Sequence, residues 1–319
     1  MNLLDIIHSL PQQIREGIQL AKDIKVSGEF SSIVVTGMGG SGIPGDLLKS
    51  ILRDCKLPII VNKDYSLPGF VNKNTLVFVI SYSGNTEETI SAFKDAQKKK
   101  ATIITITSGG KLRELARDAK CSLIIIPQGL PPRSAVAYLL FPMLVILHNS
   151  GITKLNSAEI KATIEALKNP EYDSKAKELA EHLKGKIPLV YAGPQHEAVA
   201  LRWKQEFNEN SKSHAFYNVF SELDHNEITA YQNAKNTFHI ILLRDEREHT
   251  QNKKRMDHLK QLLKEKKIPI TEIMLKGIHP LVKIFTALYM GDLTSYYLAE
   301  KYGVDPTDTH LIEELKKQL

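Results

Sequence analysis

The segment Ser81-Tyr82-Ser83-Gly84-Asn85-Thr86-Glu87-Glu88-Thr89 follows the apolar run Val77–Ile80 and places three hydroxyls, Ser81, Ser83 and Thr86, around a glycine where a helical pattern opens. Hydroxyls, unsatisfied amides and the positive end of a helix dipole together suit an anion. The expected anion is a phosphate on a small molecule. The same residues also read as an ordinary helix start, because Asn and Thr are good caps and Glu follows in the first turn. Taken alone, this stretch leaves both readings open.

A second candidate is the glycine-rich turn Gly37-Met38-Gly39-Gly40-Ser41-Gly42, which follows an apolar strand pattern. Its glycines permit close backbone approach to a ligand, and Ser41 adds a hydroxyl. The glycine spacing departs from the dinucleotide fingerprint, and no ribose-binding acid closes the next strand, Asp64 being the nearest, so no nucleotide cofactor is expected. In Gly129-Leu130-Pro131-Pro132-Arg133-Ser134 two prolines fix the approach to a helix start. Arg133 there opposes the helix dipole, which calls for a paired anion, either a ligand or a neighbouring carboxylate. Further on, Phe207-Asn208-Glu209-Asn210 places Glu209 at a helix C-terminus between two amides that could orient it, and Glu222-Leu223-Asp224-His225-Asn226-Glu227 supplies an imidazole. A carboxylate and an imidazole are the usual pair for proton transfer near neutral pH. Sequence separation alone does not say whether they meet; an exposed Glu and a capping His read equally well.

The elements that must hold these residues alternate. Strand patterns at Ser32–Thr36, Pro58–Val61, Thr75–Ile80, Thr102–Thr107 and Leu123–Ile126 are separated by helical patterns at Ile43–Arg53, Thr86–Lys99 and Leu112–Ala119, and a long apolar helix is expected near Pro132–Leu147. After a polar stretch at Asn149–Lys154, read as a linker, the alternation resumes. Strands at Pro188–Ala192, Phe238–Leu243 and Pro269–Met274 are interleaved with helices at Glu197–Asn208, Thr250–Lys266 and Leu281–Tyr302, and a last helix spans Thr309–Leu319. Such alternation predicts an α/β chain with two doubly wound, flavodoxin-like parallel-sheet domains. Residues 1–153 form the first, with an amphipathic N-terminal helix, and residues 154–319 form the second, with a C-terminal helix.

Composition narrows the function classes. In 319 residues, 42% are hydrophobic and 24% charged, as in ordinary globular proteins. Cys55 and Cys121 form no disulfide or metal pattern, which points to a reducing, cytoplasmic compartment. Met1 to Leu20 lacks the apolar core and cleavage site of a signal peptide. The apolar stretch Ala135–Leu147 is too short to span a membrane and contains Pro142. The net charge of +6 comes from lysines scattered over amphipathic helices rather than from a basic-aromatic array, so neither nucleic acid nor a membrane is the expected partner.

Taken together, GMGGSG, SYSGNTEET, PPRSA, FNEN and DHNEI, in that order over nearly the whole chain, resemble the bifunctional phosphoglucose/phosphomannose isomerases, which are built from two sugar-isomerase (SIS) domains. The resemblance implies an aldose-ketose isomerase acting on glucose 6-phosphate and mannose 6-phosphate without cofactor or metal. Gly40, Ser41, Ser81, Ser83 and Thr86 would bind the sugar phosphate, and Thr309 would line the space around C1 and C2. Glu209 would be the general base, Arg133 would stabilise the enediol, and His225 would open the sugar ring from the partner subunit of a homodimer. Lys316, on the less distinctive C-terminal tail, would assist ring opening. A single-substrate phosphoglucose isomerase and a non-catalytic phosphosugar sensor are the alternatives. A sensor would need an output module, and no DNA-binding segment is evident before Ser31. A glucosamine 6-phosphate synthase-like enzyme would need an N-terminal catalytic Cys, where this chain has Met1-Asn2.

Overall fold

The computed structural model describes residues 2–233 and 237–318, apart from the side chain of Lys317. Met1 and Leu319, at the ends of the first and last expected helices, lie outside the described residues. The chain divides into two compact units, His8–Ala158 and Met1–Ile7 with Glu159–Leu319. The single N-terminal helix expected from the sequence is two helices, α1 (Leu3–His8) and α2 (Leu10–Leu20). Pro11 sits in the first turn of α2, where its missing N–H is tolerated; within one continuous helix it would interrupt the ladder.

The first unit continues through β1 (Ser32–Thr36), α3 (Ile43–Ile51), β2 (Ile59–Asn62), β3 (Thr75–Ser81), α4 (Glu87–Lys98), β4 (Thr102–Thr107), α5 (Gly110–Asp118), β5 (Ser122–Ile125) and α6 (Val136–Asn149). Its five strands are parallel in the order β2-β1-β3-β4-β5. Every residue of β1 and β3 is buried, as their unbroken apolar runs require when helices cover both faces of a sheet. One core cluster joins Val34, Val77 and Val79 of the sheet to Phe93 of α4 and Leu112 of α5. The apolar stretch expected as a buried helix is α6, in which Val136 to Leu147 are all buried. Among the described residues no helix is long and apolar enough to cross a membrane.

The second unit contains α7 (Ser157–Ala166), α8 (Glu171–Leu183), β6 (Ile187–Ala192), α9 (Glu197–Glu209), β7 (Phe216–Val219), β8 (Phe238–Asp245), α10 (Thr250–Glu265), β9 (Ile270–Leu275), α11 (Pro280–Tyr302) and α12 (His310–Gln318). Its sheet is again parallel, in the order β7-β6-β8-β9. The two-sheet architecture is the one the alternation implied. The sequence reading lacks β7, a four-residue edge strand whose Phe216 is exposed, so neither burial nor a long apolar run marks it. The stretch read as a linker is tied into the first unit at its start. Asn149 closes α6 and donates to the carbonyls of Lys22 and Ile24, while Ser150 accepts from Val26 N–H.

In each sheet the chain order reverses beside its second strand, between β1 and β3 and between β6 and β8. A ligand crevice is expected beyond the carboxyl ends of the strands at such switch points.

Candidate active site

At the β1/β3 switch point the two glycine-containing turns predicted from sequence lie together. Ser41 Oγ accepts from the Tyr82 N–H at 2.9 Å, tying the first turn to the second. Ser81 is wholly buried; its hydroxyl accepts from Gly84 N–H at 3.0 Å and is hydrogen-bonded to the Thr86 hydroxyl, also at 3.0 Å. Ser83 is exposed and Thr86 half-buried, so these are the hydroxyls a ligand can reach without rearrangement. Gly84 has φ +73°, and a Cβ there would lie 1.8 Å from the carbonyl oxygen of Gly109. Only glycine satisfies both that backbone conformation and that approach.

Thr86 occupies the N-cap of α4 in an extended conformation, yet makes no side-chain cap hydrogen bond. The helix start therefore differs from the ordinary capped reading, since the cap hydroxyl is turned to Ser81. With no cap from Thr86, the dipole end of α4 favours an anion by up to about 2 kcal/mol in a partly buried setting.

The PPRSA motif forms a 3₁₀ turn, Pro132–Ala135, that leads into α6, and Arg133 on it is 1% exposed. A Cβ on Gly40 would fall 2.7 Å from the backbone nitrogen of Arg133. The first unit thus brings together the turns that carry Gly40, Ser41, Ser81, Ser83, Thr86 and Arg133.

In the second unit Glu209 is the last residue of α9, half-buried, as the sequence suggested. The flanking amides have other partners as well. Asn208 Nδ2 donates to the Ser213 carbonyl at 2.8 Å, and Asn210 Nδ2 donates to Glu206 at 2.8 Å and to the Ser295 hydroxyl at 2.9 Å. They brace the helix end. Lys212, at φ +54°, donates to the carbonyls of Glu209 at 2.6 Å and Asp308 at 2.8 Å. This clamp places the segment carrying Thr309 at the end of the helix that carries Glu209. Thr309 is half-buried, its carbonyl accepts the Ile312 and Glu313 amides of α12, and its hydroxyl donates to Glu313 at 3.2 Å. Lys316 is exposed on α12.

Behind Glu209 lies an ion cluster that the sequence reading missed. Arg202 Nη1 is 2.7 Å from Glu206 and Nη2 is 3.3 Å from Asp292 on α11. Burial works against the guanidinium charge, while Asp292, Glu206 and Glu209 hold it. Removing one member of a buried pair costs about 3–5 kcal/mol, because the other charge stays buried. The spacing of 202, 206 and 209 was a legible signal, since residues four and seven apart share a helix face.

His225 ends a 3₁₀ turn, Glu222–His225, just after β7, and is exposed. Glu209 precedes β7, at the amino-end edge of the sheet where α9 finishes, whereas His225 follows β7 at its carboxyl end. The fold of this unit therefore separates the two residues. The turn after His225 is anchored by Glu227, which accepts from the Tyr191 hydroxyl and from Asn218 Nδ2 at 2.5 Å. Burial, together with the nearby Glu227 charge, pushes the Tyr231 phenol up to about 12. A tyrosine in the otherwise apolar strand β6 is the sequence signal for this network, because a buried phenol needs a partner.

The β6/β8 crevice has the same topology and opposite chemistry. His196 Nε2 lies 2.8 Å from Asp245, which also pairs with Lys283. Burial opposes the Asp245 charge, yet hydrogen bonds from His196, Lys283 and the Arg247 amide hold its carboxyl well below the usual carboxylate range. Glu248 accepts from the His249 amide at 3.0 Å, and its carboxylate lies against Gly193, where a Cβ would be 1.6 Å away. Among the described residues this crevice thus holds Asp245 and Glu248 together with the basic side chains of His196 and Lys283.

Residues 29–130 match the SIS domain family, and residues 172–319 match the bacterial phospho-glucose isomerase C-terminal SIS domain. The chain is 40% identical to a bifunctional phosphoglucose/phosphomannose isomerase of Caldicellulosiruptor bescii, over 99% of this chain and 98% of that one. It is 39% identical to the protein of the same name from Aquifex aeolicus, over 94% and 93% of the two chains. A crystal structure of a hypothetical protein from Thermus thermophilus shares the fold at TM-score 0.79 and 15% identity, covering 98% of this chain and 89% of that one.

Proposed function

We propose that this chain, which belongs to the bifunctional phosphoglucose/phosphomannose isomerase family, interconverts glucose 6-phosphate and mannose 6-phosphate with fructose 6-phosphate through a cis-enediol. The observation that carries the reading is the β1/β3 crevice, where reachable hydroxyls on Ser83 and Thr86 meet a helix start that Thr86 does not cap. The phosphate would sit there. Ser81 and Ser41 would act by holding the two turns in register, and Gly40 by admitting close approach.

Isomerisation needs an open-chain carbonyl, a base and a stabilised enediolate. Glu209 would carry a proton between C2 and C1. Arg133, enclosed by protein and so weakly screened by solvent, would stabilise charge developing on the enediol oxygens. His225 would open the ring, assisted by Lys316, with Thr309 beside C1 and C2. Rotation about C2–C3 would let one base serve both epimers. The separation of Glu209 and His225 by β7 supports His225 serving a partner copy in a homodimer. Two unpaired cysteines support a cytoplasmic setting.

The test is a coupled assay of purified protein with each aldose phosphate, with and without chelator. Chelator-resistant turnover of both is the expected result. Turnover of glucose 6-phosphate alone would reduce the activity to a single substrate, and binding of both without turnover would make the protein a sensor.

A further inference from the structure

Arg202, Glu206 and Glu209 stand at positions i, i+4 and i+7 of α9, on one face of the helix. Arg202 and Glu206 are 1% and 2% exposed, and the guanidinium divides its contacts between Glu206 on its own helix and Asp292 on α11. The charge of Glu209 also acts on it. The far oxygen of Glu206 is held by Asn210, which in turn reaches Ser295 on α11. The base proposed above therefore stands at the open end of a cluster of one cation and three carboxylates.

We propose that Arg202 is a positioning residue for Glu209, a buried cation that fixes the last turn of α9 and offsets the repulsion of Glu206 and Asp292 on the Glu209 carboxylate. This inference rests on Glu209 being the general base. Three carboxylates without their cation would each favour the protonated form, and a carboxylate that holds its proton cannot take one from C2. A fully buried guanidinium suits the task, because it stays charged and its planar fork can address two carboxylates at once.

Other charged and titratable groups of the described residues lie on the elements around this helix end. Lys212, whose ammonium also attracts Asp305 and Asp308, binds the Glu209 carbonyl. Of the elements packed against α9, β6 carries the Tyr191 phenol, β7 that of Tyr217, and the turn before the helix His196. On α11, Asp292 acts on Arg202, while Lys283 is committed to Asp245.

The experiment compares wild type with Arg202→Met, Arg202→Lys and Glu206→Gln. It follows kcat/KM against pH and, independently of turnover, the carboxyl carbon-13 titration of Glu209, assigned through Glu209→Gln. Arg202→Met should move both the acid limb and the titration upward by about one pH unit, the size expected for losing one nearby charge, with KM within about threefold. Arg202→Lys should return most of the shift, and Glu206→Gln should move both downward. If Arg202→Met does not fold, Glu206→Gln decides. Folded variants whose limb and titration stay at the wild-type position would overturn the proposal and leave Arg202 a structural residue. A wild type that lacks isomerase activity while the titrations still move would instead remove the proposed reaction and keep the electrostatic link.

Discussion

Gly40 and Arg133 abut main chain to main chain: a Cβ on Gly40 would lie 2.7 Å from the Arg133 nitrogen and 2.8 Å from its Cα. The turn after β1 and the turn before α6 are consequently packed backbone to backbone, although they lie more than ninety residues apart in sequence. No flexible side chain can yield at this contact, because the clash is with backbone.

Gly40→Ala should therefore push the Arg133 turn away from β1. Overpacking of this kind costs about 1–3 kcal/mol, and a displaced catalytic group can lose up to about 10²-fold in turnover. Thermal unfolding and steady-state kinetics on the same preparation would measure the two effects. Unchanged kcat and unchanged Tm would show that the two turns do not depend on each other.

Glu209→Gln keeps the shape of the α9 terminus and removes the proposed base. Turnover should fall by about 10²- to 10⁴-fold, with substrate affinity within a few-fold. Arg133→Ala should likewise lower kcat more than it weakens binding, since the stabilised charge develops only in the transition state. A loss confined to KM would reassign Arg133 to the phosphate.

Because β7 separates Glu209 from His225 within one chain, inactive protomers carrying His225→Ala and Glu209→Gln should regain activity when co-assembled. Mixed dimers would be isolated by differential tags and assayed directly. Verified heterodimers with no more activity than the parents would exclude a shared site.

His239 tests the second core. Burial, reinforced by the neighbouring His182 charge, pushes its imidazole down to about 4 from 6.5, and it is 2.8 Å from the Thr271 hydroxyl. Between those two values the unfolded chain binds a proton that the folded one refuses, so stability falls as pH drops from about 6.5 to about 4. His239→Gln should keep a polar contact to Thr271 and flatten that part of the Tm-against-pH curve. A slope equal to that of wild type would assign the acid sensitivity elsewhere.

Much of the chain was readable from local pattern. Buried parallel strands impose continuous apolar runs such as Val77–Ile80, and switch-point turns carry glycine and hydroxyl residues, so both the sheets and those turns leave marks in sequence. The strand β7 left none, being short, at the edge and partly exposed. Nor did adjacency in sequence show that Asn210 reaches Glu206 and Ser295, which helical geometry brings together.

By itself the sequence determined that the chain forms two α/β units, that a turn rich in hydroxyls and glycine follows β3, and that Glu209 ends a helix. Only tertiary structure decided which groups act on one another. It placed Gly40 against Arg133, Lys212 between Glu209 and Asp308, and Arg202 among three carboxylates. It also paired Asp245, beyond β8, with His196 and Lys283. The reason is physical. Periodicity reports the face on which a side chain lies, but electrostatic and steric effects depend on distances between residues remote in the chain, which folding alone sets.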